Sequence, residues 1–278
     1  MNEQQKTTTA LFNTTWDAFN ALLWVPEEIE QDSKQFLPGE VTVLAGLNHS
    51  FKTTFLLNLA DSIKESQLKQ QQDDNIIDKD GLLLHIRFDQ NPWSFHDINR
   101  YRLVTTALDI KEMLSNAPTV DTVVDRLLGF VSDVETQHEL PLKGLFIDEF
   151  FLLGVEDTQS ALFQHLNLFT KQRGIRTFVT HPLNAAAVQQ LKQQENALLF
   201  VLGDLPKDEL AERNAFLPAS VRDNVDTVFY IHPIKDKGKH VDLCIQRGLR
   251  RHYHQIHSSA QEFSTLYYRK GDFCFLPI

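Results

Sequence analysis

At 278 residues with 42% hydrophobic side chains, the chain has enough material for one large domain with a sizeable core. Its formal net charge of -10 excludes a protein that coats nucleic acid through an extended basic surface, while a local basic loop or a positively lined pore stays compatible. Two cysteines, Cys244 and Cys274, are too few for a disulfide framework and point to buried free thiols in a reduced, cytoplasmic setting; pairing across adjacent strands is the alternative. The first ten residues are polar, and no apolar run approaches the ~18–20 residues that span a bilayer, so neither a signal peptide nor a membrane partner is expected.

In chain order, residues 1–10 read as a polar tail, and residues 15–31 as a short amphipathic helix broken near Pro26. Pro38-Gly39-Glu40 turns into an apolar, β-rich run, Val41-Thr42-Val43-Leu44-Ala45. A loop over 46–54 and a helical pattern from Phe55 follow, and the Gln-rich stretch 65–80 carries that helix into a solvated loop. A second buried strand covers 81–88 and ends at Asp89. Residues 94–116 and 119–134 carry apolar positions at helical spacing. Leu145-Phe146-Ile147 is a third strand, ending in Asp148-Glu149; a helix over 157–172 leads to a fourth strand at 176–180 and another at 227–231. The chain closes with strands at 241–246, 264–268 and 273–277, the last pair turned by Lys270-Gly271-Asp272. Strands alternating with helices predict an α/β fold, with a mostly parallel central sheet flanked by helices and antiparallel C-terminal strands at one edge.

The loop Gly46-Leu47-Asn48-His49-Ser50-Phe51-Lys52-Thr53-Thr54 reads as a phosphate-binding loop, with Phe51 where a second glycine is expected. Its strand–loop–helix setting aims the backbone around Gly46, Asn48, His49, Ser50, Phe51 and Thr54 at a β- and γ-phosphate. Lys52 reaches those phosphates, and the Thr53 hydroxyl joins a Mg²⁺ shell. The partner this loop needs is an apolar strand ending in acid. Asp148 supplies it and would hold the metal shell through water, while Glu149 is either the base that orients the attacking water or a polar strand end.

With Gly39-Glu40-Val41-Thr42-Val43-Leu44-Ala45-Gly46 leading into Ser50-Phe51-Lys52, the chain resembles the RecA-like P-loop ATPase core of hexameric replicative helicases of the DnaB and Twinkle type. Relatives in phages and mobile elements, and phage strand-exchange recombinases, share this pattern, and some phage members carry Phe before the lysine. The resemblance spans residues 36–278, leaving 1–35 as tail and linker helix that would lie where helicase linkers pack on a neighbouring subunit. It implies further roles. Asp89 matches the acid that activates water, with Glu149 as second choice; His181 matches the γ-phosphate sensor; Arg247 matches an arginine finger acting on the neighbouring subunit's nucleotide. Ile245 stands where the family often has a second finger, a lysine. The segment 184–226, which in the family lines a DNA-holding pore, has two lysines, Lys192 and Lys207, among acids such as Asp204 and Glu212, which is poor composition for DNA contact.

The cofactors implied by the resemblance are ATP and Mg²⁺, and the implied assembly is a homo-oligomer, a hexameric ring of the kind family members form. Single-stranded DNA and a replication or recombination protein are the implied partners. Three functions follow: a helicase-like motor, a strand-exchange recombinase or mediator, or a slow or non-hydrolysing nucleotide-dependent assembly module. The one dense basic-aromatic stretch, 246–257, reads either as a nucleic-acid contact or as a polar hairpin surface; His252, His254 and His257 lack the acid or cysteine neighbours of a zinc site.

Overall fold

A computed structural model describes residues 12–23, 35–48, 50–74, 81–88, 103–115, 119–154, 156–183, 217–236, 238–250, 263–269 and 274–277. Among these residues nine strands form one sheet: β1 (Val41–Gly46), β2 (Leu82–Arg87), β3 (Val104–Ala107), β4 (Leu142–Asp148), β5 (Arg176–Pro182), β6 (Thr227–Asp236), β7 (His240–Arg250), β8 (Phe263–Arg269) and β9 (Cys274–Pro277). Their order is β3-β2-β4-β5-β1-β6-β7-β8-β9. The pairings from β3 across to β6 are all parallel, and those from β6 to β9 are antiparallel. The expected α/β architecture with antiparallel C-terminal strands is thus the observed one.

The helices are α1 (Asp17–Asn20), α2 (Lys52–Asp74), α3 (Ile110–Leu114), α4 (Val120–His138), α5 (Glu156–Arg173) and α6 (Ala219–Arg222), with 3₁₀ turns at Ala21–Leu23 and Phe150–Leu153. Strands sandwiched between helices bury both faces, which is why β1 and β2 are buried at every residue and read as continuous apolar runs. The side-chain period of two sorts each strand between two cores. Val43, Ile147, Val179 and Val228 face the side covered by α4 and α5. Leu44, Phe146, Phe178 and Phe229 face α2 and the N-terminal residues Phe12, Trp16, Phe19, Leu22 and Leu23. On this side the phenylalanines meet directly: Phe146 and Phe178 stack 4.7 Å apart and nearly parallel, and Phe19 is 5.3 Å from Phe229.

The N-terminal segment therefore packs on its own chain's sheet. Its helix is shorter than the 15–31 pattern predicted: one turn of α-helix and one of 3₁₀, clasped by Asn20, whose side chain accepts from the Thr14 N–H and hydroxyl (3.0 and 2.8 Å) and donates to the Thr14 carbonyl (2.7 Å). Residues 24–34 lie outside the described residues.

One expectation is corrected. The region 94–116 is not helical throughout. Val104–Ala107 forms an edge strand parallel to β2, and Ile110–Leu114 is a short helix, with Asp109 as N-cap accepting the Lys111 N–H at 2.7 Å. Two β-branched threonines after Val104 favour the strand, and its half-exposed alternation blurred the signal. The Gln-rich stretch does carry α2 on to Asp74. Cys244 is a buried free thiol, pushed up to about 11 by burial.

Sheet order places the site. β1 lies between β5 and β6, and the chain leaves it toward β2 across β4 and β5, so a crevice opens beyond the carboxyl ends of β1, β4 and β5. The start of β1 is fixed by the Asp226 carboxylate, which accepts the Val41 N–H at 2.9 Å.

Candidate functional site

The loop after β1 turns tightly. Gly46 has no alternative there: a Cβ would lie 2.2 Å from the Ser50 hydroxyl and 2.8 Å from the Ile231 carbonyl. The Ser50 N–H closes the turn on the Leu47 carbonyl at 3.1 Å, and the first helical bond of α2 runs from the Phe55 N–H to the Phe51 carbonyl at 2.8 Å. Helix geometry then leaves the N–H groups of Lys52, Thr53 and Thr54 without intrahelical acceptors, pointing out of the N-terminus with the positive end of the helix dipole.

Phe51 adopts φ 66°, the left-handed conformation that glycine takes at little cost. A side chain here costs on the order of 1–2 kcal/mol. The ring packs against the aromatic core beneath α2, and that burial offsets the strain. The phenylalanine thus keeps a backbone geometry that glycine would adopt freely.

Three elements meet at this loop in a cleft of about 580 Å³, lined by Asn48, Ser50, Phe51, Lys52, Thr53 and Thr54 on one side and Asp148, Glu149 and Thr180 on the other. That size suits a small-molecule ligand. The Thr53 hydroxyl donates to one Asp148 carboxylate oxygen at 2.7 Å, and the Thr180 hydroxyl donates to the other at 2.6 Å. Burial pushes the Asp148 carboxyl up, while the two hydroxyls, the Lys52 charge and the Glu149 N–H pull it back. Lys52 donates to the carbonyls of Gly46 (3.0 Å) and Leu47 (2.8 Å). Burial holds its ammonium below the usual lysine range, countered by Asp148 and Glu149.

Glu149 is exposed at the cleft, in a left-handed conformation (φ 55°, ψ 35°) that turns the chain out of β4. Its N–H donates to the Thr180 hydroxyl at 2.7 Å. Thr180 is the member of this group that sequence reasoning passed over; a hydroxyl at the end of the strand beside the acidic one was the available signal.

The donor set fits Mg²⁺. A hydroxyl and a carboxylate, hydrogen-bonded to each other, are hard oxygen ligands within reach of one ion. Among the described residues no group of three acid, histidine or cysteine side chains could cage a metal alone, which agrees with an ion bound chiefly by a ligand's phosphates.

The other expected residues are placed differently. His181 follows Thr180 and leaves the opposite face of the strand. Its ring lies 5.5 Å from Phe151 and 6.1 Å from Phe163, with Nδ1 2.7 Å from the Pro182 carbonyl, which can only accept; Nδ1 therefore carries the proton. Burial, with the Lys52 charge acting the same way, pulls this imidazole down to about 4 against that hydrogen bond, so it is neutral. Arg247 is half-buried on β7 and donates to the Leu22 carbonyl of its own chain at 3.2 Å. Asp89, His49, residues 184–216 and residues 251–262 lie outside the described residues. Among the described residues no helix is long and apolar enough to cross a membrane.

No protein-family model matches the chain. No curated protein matches it either. Among solved structures it is similar to the ATPase domain of a DnaB-like helicase, with a TM-score of 0.53 over 90% of this chain and 89% of that one, at 10% identity. The likeness is one of fold: a RecA-like α/β ATPase domain.

Proposed function

We propose that the chain binds ATP with Mg²⁺ in the cleft between the 46–54 loop and Asp148, and hydrolyses it as a helicase-like motor in DNA replication or recombination. The observation that carries this reading is the bond from the Thr53 hydroxyl to Asp148, which joins the end of the loop to the acid-ended strand. In this reading the α2 N-terminus and the loop N–H groups hold the β- and γ-phosphates. Lys52 exchanges its contacts with the Gly46 and Leu47 carbonyls for phosphate oxygens. Mg²⁺ at Thr53 and Asp148 would supply charge neutralisation at the transferred phosphoryl group. Glu149, facing the cleft, orients the attacking water, with Asp89 as the alternative acid; Arg247 serves the site of a neighbouring subunit in a hexameric ring. Catalysis is by positioning and charge neutralisation during in-line attack.

A second reading, a slow nucleotide-dependent assembly switch, draws on two contacts. Lys52 is bonded to its own loop and Arg247 to its own N-terminal segment, so turnover requires both to be exchanged. ATP turnover with and without single-stranded DNA, together with the mass of the assembly, separates the two. The motor reading expects DNA-stimulated turnover in an assembly near six times the 32.0 kDa chain mass. ATP-dependent assembly with neither turnover nor DNA stimulation selects the switch.

A further inference from the structure

Register alone brings Thr180 to Asp148. Phe146 on β4 pairs with Phe178 on β5, and their rings stack on the α2 side of the sheet. Two residues further along each strand the side chains return to that same face. Asp148 and Thr180 therefore stand opposite one another at the strand ends, beside the loop. Thr180 is fully buried.

A hydroxyl offers one donor and two acceptor lone pairs. Thr180 gives its donor to Asp148 Oδ1 at 2.6 Å and accepts the Glu149 N–H at 2.7 Å. One side chain thus contacts both acids. With Thr53 bonded to the other Asp148 oxygen, the carboxylate is held from two sides and cannot rotate without losing a hydrogen bond. The second contact acts on the backbone. Glu149 sits in a left-handed conformation that a non-glycine residue takes at a cost, and a fixed N–H helps hold it there.

We infer that Thr180 is a positioning residue of this site, whose single hydroxyl orients Asp148 toward Thr53 and holds the Glu149 backbone so that the carboxylate of Glu149 faces the cleft. This rests on the Mg²⁺–ATP reading above and adds to it the residue that links the two acids. Groups that orient a metal's ligands typically change metal affinity or activity by roughly 10- to 100-fold when removed.

The test compares Thr180→Val, which keeps shape and removes the hydroxyl, with Thr180→Ser, which keeps the hydroxyl and removes a methyl group. The probe is a fluorescent ATP analogue, titrated in EDTA and again with rising Mg²⁺, alongside steady-state turnover. For Thr180→Val we expect wild-type affinity in EDTA, a Mg²⁺ midpoint raised roughly tenfold, and kcat lowered roughly 10- to 100-fold with KM little changed. Thr180→Ser should restore the Mg²⁺ midpoint and most of kcat. Should Thr180→Val fail to fold, Thr180→Cys, of similar size but a weak donor, is expected to raise the midpoint where Thr180→Ser does not. A valine or cysteine variant with the wild-type midpoint and kcat overturns the inference alone, as does equal loss in the serine variant, which would make the role one of packing. A wild-type protein whose nucleotide binding ignores Mg²⁺ overturns the cleft reading and this inference together.

Discussion

Lys52→Ala is expected to lower ATP affinity by roughly 100- to 1,000-fold, the loss that follows when one partner of a desolvated charge pair, worth about 3–5 kcal/mol, is removed. The reason lies in where the ammonium stands. It is held by the Gly46 and Leu47 carbonyls at the mouth of α2, and burial lowers its pKa. A buried cation with carbonyl partners is poised to gain from an anion. For the same reason the alanine variant should fold at least as well as the wild type. The pair of results discriminates: lost affinity with an unchanged melting temperature assigns Lys52 to the ligand, whereas undiminished ATP affinity would sink the phosphate-loop assignment.

The second large effect concerns acid. Two histidines are buried neutral: His85 on β2, pulled down to about 3 by burial with Arg87 acting the same way, and His181, pulled down to about 4. Neither nitrogen of His85 has a hydrogen-bond partner among the described residues. In the unfolded chain both take a proton near the ordinary histidine value of 6.5, so below that pH the unfolded state binds more protons and is favoured. Their contribution is complete above pH 6.5 and is lost as the pH falls toward 4. Each proton changes stability by about 1.4 kcal/mol per pH unit, so two histidines destabilise the fold by about 2.7 kcal/mol per unit in this window. Asp148, whose pKa burial raises, acts in the opposite sense and trims the slope. Denaturant unfolding between about pH 7.5 and pH 4.5 measures it. His85→Leu should roughly halve the slope and be more stable than wild type near pH 5; an unchanged slope would mean that His85 does not titrate between the folded and unfolded states.

Much of the sheet was legible in the sequence because strands buried on both faces read as unbroken apolar runs; β1 and β4 end where the apolar run gives way to the loop and to acid. The loop and Asp148 were legible for a related reason: they stand at strand ends, where the hydrophobic run stops. β3 was not, since four residues at an open edge, half exposed, carry too little pattern. The roles of Thr180 and His181 could not be separated either. They are adjacent in sequence, and only the β4–β5 register decides which one meets Asp148. Nor could the sequence pair Arg247 with the Leu22 carbonyl, a contact between residues 225 positions apart. Phe51 looked like a defect in the motif. The structure gives it the glycine conformation, stabilised by ring burial that no motif encodes.

The most direct measurement is equilibrium binding of an ATP analogue to the wild-type chain and to Asp148→Asn, with and without Mg²⁺. A Mg²⁺–nucleotide site between the loop and β4 predicts that Mg²⁺ tightens binding to the wild type and has little effect on Asp148→Asn, while metal-free affinity stays similar in both. Binding that is absent from the wild type, or that gains equally from Mg²⁺ in both proteins, would contradict it.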